Sequence, residues 1–210
     1  LRAVAGNALV NLTWTAPAAT GGSPITDYLV QSSSDGGGSW RTLSDGLSAT
    51  AGSTVAGLIN GVAYVFRVAA VSAAGTGSWT AASTAVTPRG PATAPQNLVA
   101  TPGDGRVVLE WERPASFGGA SFRQYLIEQS TDGGRNWSPA SNGTSRTTTA
   151  TVSGLANGTT YVFRVAAETT LTKGVFCPAT AAILPLGAPA PVSELVVQPS
   201  GSQFVLTWNA

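Results

Sequence analysis

The chemistry open to this chain is bounded first by what it lacks. It contains no His, which removes His-based triads, His-assisted metal sites and the commonest proton shuttle. A single Cys, Cys177, cannot build a Cys-rich metal site and reads as a small filler in a strand. Acid–base work would fall to Glu110 and Glu112, which sit two apart on a strand and so share one face, opposite Trp111. At the matching positions, 97 residues away on either side, stand Thr13 and Thr15, and Thr207 and Asn209. A solvated strand face therefore accounts for the pair. No Gly-rich loop precedes a helix, so no phosphate cradle is expected. We expect no catalytic residue, no metal site, no cofactor and no enzymatic activity in this stretch.

Two further segments resemble a known motif. Ser33–Trp40 reads SSDGGGSW and Ser130–Trp137 reads STDGGRNW. Both resemble the Asp-box of sialidase-type propellers, which would imply a glycosidase. Propeller blades recur every ~40–50 residues, whereas this box recurs at 97. The other reading is a hairpin turn, in which Asp accepts hydrogen bonds from turn amides, Gly supplies positive φ and Trp packs behind. Four formal glycosylation sequons begin at Asn11, Asn136, Asn142 and Asn157. Lys173 is the sole Lys beside ten Arg, and Ala, Gly, Thr and Val abound. That usage reads as a GC-rich bacterial coding sequence, so the sequons are expected to be unused.

Composition favours a packed β protein. Apolar residues make up 43% of the 210 and charged residues 10%, enough to bury a core and unlike a disordered segment. The 25 Gly and 13 Pro point to many short strands joined by turns. Net charge is +1 and no basic cluster occurs, so nucleic acid is not an expected partner. No run of ~18 apolar residues occurs, so no membrane insertion is expected. With one Cys the fold must rest on its hydrophobic core. Leu1 is not an initiating Met, so the start reads as a cut end and the missing signal peptide is uninformative.

Trp14, Trp111 and Trp208 are spaced by 97 residues, and the offset also maps Tyr28 to Tyr125, Trp40 to Trp137 and Tyr64 to Tyr161. The expected units are 1–88 (its first strand truncated) and 95–185. Linkers 89–94 and 186–191 follow them, and 192–210 begins an incomplete third repeat. Pro near both junctions suggests semi-rigid joints. The third piece is two strands at most and is expected to pack on its neighbour or fray. In the second repeat alternation predicts strands at 96–101, 106–113, 122–131, 136–140, 147–152, 159–169 and 175–184, with almost no helix. Trp14, Tyr28, Tyr64, Trp111, Tyr125 and Tyr161 are the predicted aromatic core. Leu58 and Leu155 precede Asn60-Gly61 and Asn157-Gly158, turns suited to positive φ. The Tyr64 and Tyr161 hydroxyls are expected to reach back to the backbone just upstream.

These residues resemble the fibronectin type III family. The resemblance rests on Pro95…Leu98, Trp111, Pro114, Gly118-Gly119, Phe122, Tyr125, Ile127, Leu155, Asn157-Gly158-Thr159 and Tyr161. In the first repeat Trp14, Pro17, Gly21-Gly22, Ile25, Tyr28, Val30, Leu58, Gly61 and Tyr64 carry it. Asn stands where the family usually has Pro before the turn Gly. The resemblance implies an all-β chain: two immunoglobulin-like, seven-stranded sandwiches in tandem plus the first two strands of a third. It also implies binding, adhesion or spacing.

One surface is singled out. Leu29, Val65, Leu126 and Val162 point away from the core, on the sheet that also holds Trp40 and Trp137. Arg67 and Arg164 are outward neighbours, expected to stack on Trp40 and Trp137. The functional expectation is a non-catalytic spacer and presentation tandem in a secreted or cell-surface bacterial multidomain protein, touching its neighbouring domains. Alternatives are an adhesion or receptor ectodomain that binds a protein or carbohydrate partner, and accessory modules of a modular polysaccharide hydrolase.

Overall fold

The computed structural model describes residues 1–189 and 193–209. Among them the chain forms strands and no helix, as the alternation predicts. The first repeat contains β1 (Arg2–Ala5), β2 (Leu9–Thr13), β3 (Ile25–Ser33), β4 (Arg41–Thr42), β5 (Gly52–Ala56), β6 (Val65–Ser72) and β7 (Gly75–Thr76). The second contains β8 (Gln96–Gly103), β9 (Arg106–Glu112), β10 (Phe122–Ser130), β11 (Ser138–Ser145), β12 (Thr149–Ser153), β13 (Val162–Thr169) and β14 (Lys173–Phe176). A hairpin of β15 (Ser193–Ser200) and β16 (Gln203–Asn209) follows.

Each repeat is a two-sheet antiparallel sandwich. A three-stranded sheet, β1-β2-β5 or β8-β9-β12, faces a four-stranded one, β4-β3-β6-β7 or β11-β10-β13-β14. The period-2 pattern decides which residues meet between them. Val10, Leu12, Val30, Phe66 and Val68 are essentially fully buried in the first core; Val107, Leu109, Ile127, Phe163 and Val165 fill the second. Trp14 meets Tyr28 edge to face at 5.1 Å, and Trp111 meets Tyr125 at 5.2 Å. Tyr28, Trp111, Tyr125 and Tyr161 are buried, while Trp14 and Tyr64 are partly exposed and pack on the core from its margin. The Tyr64 hydroxyl accepts the Ile59 amide at 3.2 Å, and the Tyr161 hydroxyl accepts the Ala156 amide at 3.1 Å.

Three expectations need correction. The predicted last strand, 175–184, is a strand only as far as Phe176. Beyond it the Cys177, Thr180 and Ile183 amides donate to the Val165, Phe163 and Tyr161 carbonyls. A step of three against a step of two cannot form a regular ladder; it is the pitch of an extended threefold chain, and Pro178 has no amide to offer a ladder. The first repeat does the same with Thr80, Ser83 and Val86. Cys177 therefore lies just past β14 rather than within it. The fourth strand of the second repeat is longer than predicted and begins at Ser138. The final hairpin does not bury itself on its neighbour: Leu195, Phe204 and Trp208 are all more than half exposed, because two strands lack an opposing sheet.

Candidate interaction face and inter-repeat joint

Ser33 and Asp35 build one turn, Ser130 and Asp132 its copy. The Ser33 hydroxyl donates to Asp35 at 2.6 Å and accepts the Gly37 amide at 2.8 Å. Asp35 also accepts the Ser39 amide at 2.9 Å and the Ser39 hydroxyl at 2.6 Å. Asp132 accepts Ser130 at 2.6 Å and the Asn136 amide at 2.9 Å. The Ser33 and Ser39 hydrogen bonds hold the Asp35 carboxyl well below the usual carboxylate range; for Asp132 the Asn136 amide is the main cause, then Ser130. Carboxylates so engaged are turn-formers. Glu110 and Glu112 lie exposed along β9.

Next to these turns, the outward face of the four-stranded sheet carries the two arginines. The Arg67 guanidinium carbon lies 4.2 Å from the Trp40 ring centroid and 4.9 Å from that of Trp79. Arg164 lies 4.2 Å from Trp137 and 4.2 Å from Phe176. All four distances are within the ~6 Å reach of a cation–π contact. Each arginine is also held in the sheet plane: Arg67 donates to Gln31 at 2.8 Å, and Arg164 to the Glu128 carboxylate at 2.8 Å. Sequence reasoning missed the second aromatic of each stack, although Trp79 and Phe176 share the 97-residue register. Leu29 and Leu126 are partly covered. Val65 and Val162 are buried although they belong to neither core cluster. The face is thus a set of mutually satisfied side chains more than an open apolar patch.

A second site lies where the repeats meet. Asn60 accepts the Ala8 amide at 2.8 Å and donates to Asn7 at 2.8 Å, tying its turn to the β1–β2 connection. Asn157 repeats this with the Gly105 amide at 2.9 Å and Asp104 at 2.7 Å. Proline could make neither bond, which gives the departure from the family pattern a structural role. Gly90 lies against the Asn7–Asn60 pair and Gly187 against Asp104–Asn157, so close that a side chain at either glycine would have to displace the pair. The Gly61 amide donates to Pro88 at 2.9 Å, and the Gly158 amide to Pro185 at 3.0 Å.

From there the connecting segment enters the second repeat. The Gly90 amide donates to Gly118 at 3.0 Å and the Thr93 amide to Ser116 at 2.9 Å. Ala92, wholly buried, is part of the second core, and its carbonyl accepts the Val175 amide at 3.0 Å. Gly61 of the first repeat and Gly119 of the second touch backbone to backbone. Sequence periodicity gives no sign of this contact, because it joins two different repeats.

The profile of the fibronectin type III domain matches residues 1–86 and 93–180. Fast-type myosin-binding protein C of Mus musculus is 30% identical over 189 residues, covering 90% of this chain and 16% of that protein. Titin of Drosophila melanogaster is 28% identical over 203 residues, 93% of this chain and 1% of that protein. The chain therefore spans about a sixth or less of the length of these relatives. A crystal structure of chicken CNTN1 FN1-FN3 domains superposes with a TM-score of 0.51 at 23% identity, covering 98% of this chain and 72% of that one, a likeness of fold. The relatives correct one expectation. Myosin-binding protein C and titin are intracellular sarcomeric proteins, which contradicts the secreted or cell-surface location. That location followed from the family resemblance, and a sandwich with a single unpaired Cys does not report compartment. The mouse and fly origins of these relatives lend no support to a bacterial source either. Two matched sandwiches, a shared aromatic register and these relatives agree: the chain belongs to the fibronectin type III domain family.

Proposed function

We propose that this chain is a non-catalytic spacer: a stiff tandem that holds whatever flanks it at a set distance and angle. Its units would be 1–88 and 95–185, joined through 89–94, with 186–191 leading into a third repeat from 192. The observation that carries the reading is the joint. Backbone hydrogen bonds enter and leave the connecting segment, and glycine backbones meet with no room for a side chain. A swivelling linker would have its polar groups in water and few contacts with either repeat. The cation–π stacks fit the same role, since Arg67 and Arg164 pin the outward sheet face. Contact with a protein partner through Leu29, Trp40, Arg67, Leu126, Trp137 and Arg164 would use the rims of these stacks. Relatives built from many domains, one named for binding myosin, are compatible with both uses.

Electron–electron distance measurements test the spacer reading. Nitroxides would be placed at the exposed positions Leu47 and Leu171, one on each repeat, in a Cys177→Thr background. One narrow distance distribution is the expected result. A broad distribution would show a free swivel and overturn the proposal.

A further inference from the structure

The two repeats close one flank of the sandwich differently. In the second repeat β11 runs on to Ser145, and hydroxyls from this flank cap the outer edge of β12. Ser141 donates to the Ser153 carbonyl, and Ser145 and Thr147 donate to the Thr149 carbonyl at 2.9 and 3.1 Å. In the first repeat β4 ends at Thr42. There Ser48 turns instead to Asp27 and Thr50, and no hydroxyl among the described residues caps Gly52 or Ala56, the register mates of Thr149 and Ser153. A cavity of about 570 Å³ opens at this flank, lined by Ser32, Leu43, Asp45, Thr54, Leu58 and Tyr64 among others. Ser32 stands where the second repeat has Gln129, whose side-chain oxygen is buried. Leu58 and Tyr64 are accordingly half-buried, whereas Leu155 and Tyr161 are buried.

We propose that the outer edge of β5 takes an extended peptide as a fourth strand of the β1-β2-β5 sheet, with a carboxamide side chain of that peptide seated in the cavity. β5 pairs with β2 alone. The Trp14 amide donates to the Ala51 carbonyl, which fixes the alternation: Ser53 and Val55 bond toward β2, and the amides and carbonyls of Gly52, Thr54 and Ala56 face outward. The strand reads GSTVA and has none of the charges, prolines or bulges that block an edge. A peptide strand would take up these groups through main-chain hydrogen bonds, and a pocket beside the edge would select its side chain. Ser32 is only 8% exposed, and its hydroxyl has no hydrogen-bond partner among the described residues. A buried hydroxyl so placed gains from a polar group brought to it. A charged group there would lose its hydration, whereas a carboxamide is neutral and can both donate and accept. It is also the group that Gln129 carries at the matching position.

The test is an NMR titration of the whole chain with the peptide acetyl-Thr-Thr-Gln-Thr-Thr-amide at millimolar concentrations. Its control is the same peptide N-methylated at every amide, which has no backbone donors. The Gly52, Thr54 and Ala56 amide resonances should shift saturably with the first peptide only, and those of Thr149, Thr151 and Ser153 should not move. Thr54→Pro removes an outward amide at an edge position that tolerates proline, and should abolish the shifts. Ser32→Gln, which fills the cavity as the second repeat does, should weaken apparent affinity at least tenfold. Several results would overturn the proposal: no shift at β5, equal shifts with the N-methylated peptide, equal shifts in both repeats, or binding unchanged by both substitutions. Shifts at β5 that follow protein concentration without peptide would also overturn it, by making the edge a contact between copies of the chain. A response to glucose but not to the peptide would overturn it in favour of a sugar site.

Discussion

Gly61 and Gly119 touch across the repeat boundary: a β-carbon on Gly119 would stand 2.6 Å from the Gly61 nitrogen and 2.7 Å from its α-carbon. The register partner of Gly119 is Gly22, with φ of +82° against +76°, and a β-carbon placed on Gly22 would meet nothing within 4 Å. Gly22→Ala should cost about 1–2 kcal/mol from left-handed backbone strain alone. Gly119→Ala carries the same strain and must also push the repeats apart. Equilibrium unfolding should show similar losses in the repeat that is mutated. Only Gly119→Ala should move the inter-repeat distance. Equal distances in both variants would mean that the contact does not set the joint.

The joint also marks where the sequence stops being readable. Within a repeat the arrangement is legible because period-2 alternation places Val107, Leu109 and Trp111 on one face. Tyr161 likewise announces its corner through the Leu155 and Asn157-Gly158 before it. The Gly61–Gly119 contact has no such signal: neither residue differs in type or spacing from a turn glycine facing water. The threefold stretch after Phe176 is announced only by Pro178, since the alternating apolar residues beyond it suit a strand as well, and the hydrogen-bond spacing is what identifies it. Of the candidate face, Trp40 with Arg67 and Trp137 with Arg164 could be inferred from strand neighbours. Trp79 and Phe176 could not be placed until the course of the last segment was known.

Arg164 and Arg67 occupy equivalent stacks with different third partners, the Glu128 carboxylate and the Gln31 amide. A charge-assisted hydrogen bond is stronger than a neutral one. Arg164→Ala should therefore destabilise the second repeat by about 1–3 kcal/mol, combining lost stacking and a lost charged hydrogen bond. Arg67→Ala should cost the first repeat about 1–2 kcal/mol. Glu128→Gln should bring the second stack close to the first. Denaturant unfolding in low and high salt separates the terms, since only the Arg164–Glu128 contribution should weaken with salt.

Asp35 and Asp132 should make the fold acid-sensitive. Their folded-state pKa values are depressed by hydrogen bonds, led by Ser33 for Asp35 and by the Asn136 amide for Asp132. A depressed carboxyl stabilises the fold above its unfolded value of about 3.9, and that contribution is lost as pH falls below it. Stability should be flat from neutral pH down to about 4 and then decline. Asp35→Asn and Asp132→Asn should each flatten the decline in their own repeat, at the expense of a weaker turn at pH 7. A decline that survives both substitutions would assign the acid sensitivity elsewhere.

Cys177 should be chemically quiet and structurally replaceable by one particular residue. It is buried, and burial pushes its thiol pKa up, so thiolate is scarce at neutral pH. Alkylation of the folded chain should be far slower than of the unfolded chain. Its sulfur accepts the Val165 amide at 3.3 Å, the task that the Thr80 hydroxyl performs for Val68 at 3.2 Å in the first repeat. Cys177→Thr should therefore be nearly neutral. Cys177→Val keeps volume but leaves the buried Val165 amide with no side-chain acceptor, which should cost about 1–2 kcal/mol. Because a raised pKa favours the folded state only below the unfolded value of about 8.5, the wild-type chain should lose stability above that pH. Cys177→Thr should not lose stability there. Thermal melts of the three proteins between neutral and alkaline pH check the pair of claims, and a Val variant as stable as the Thr variant would refute the acceptor role.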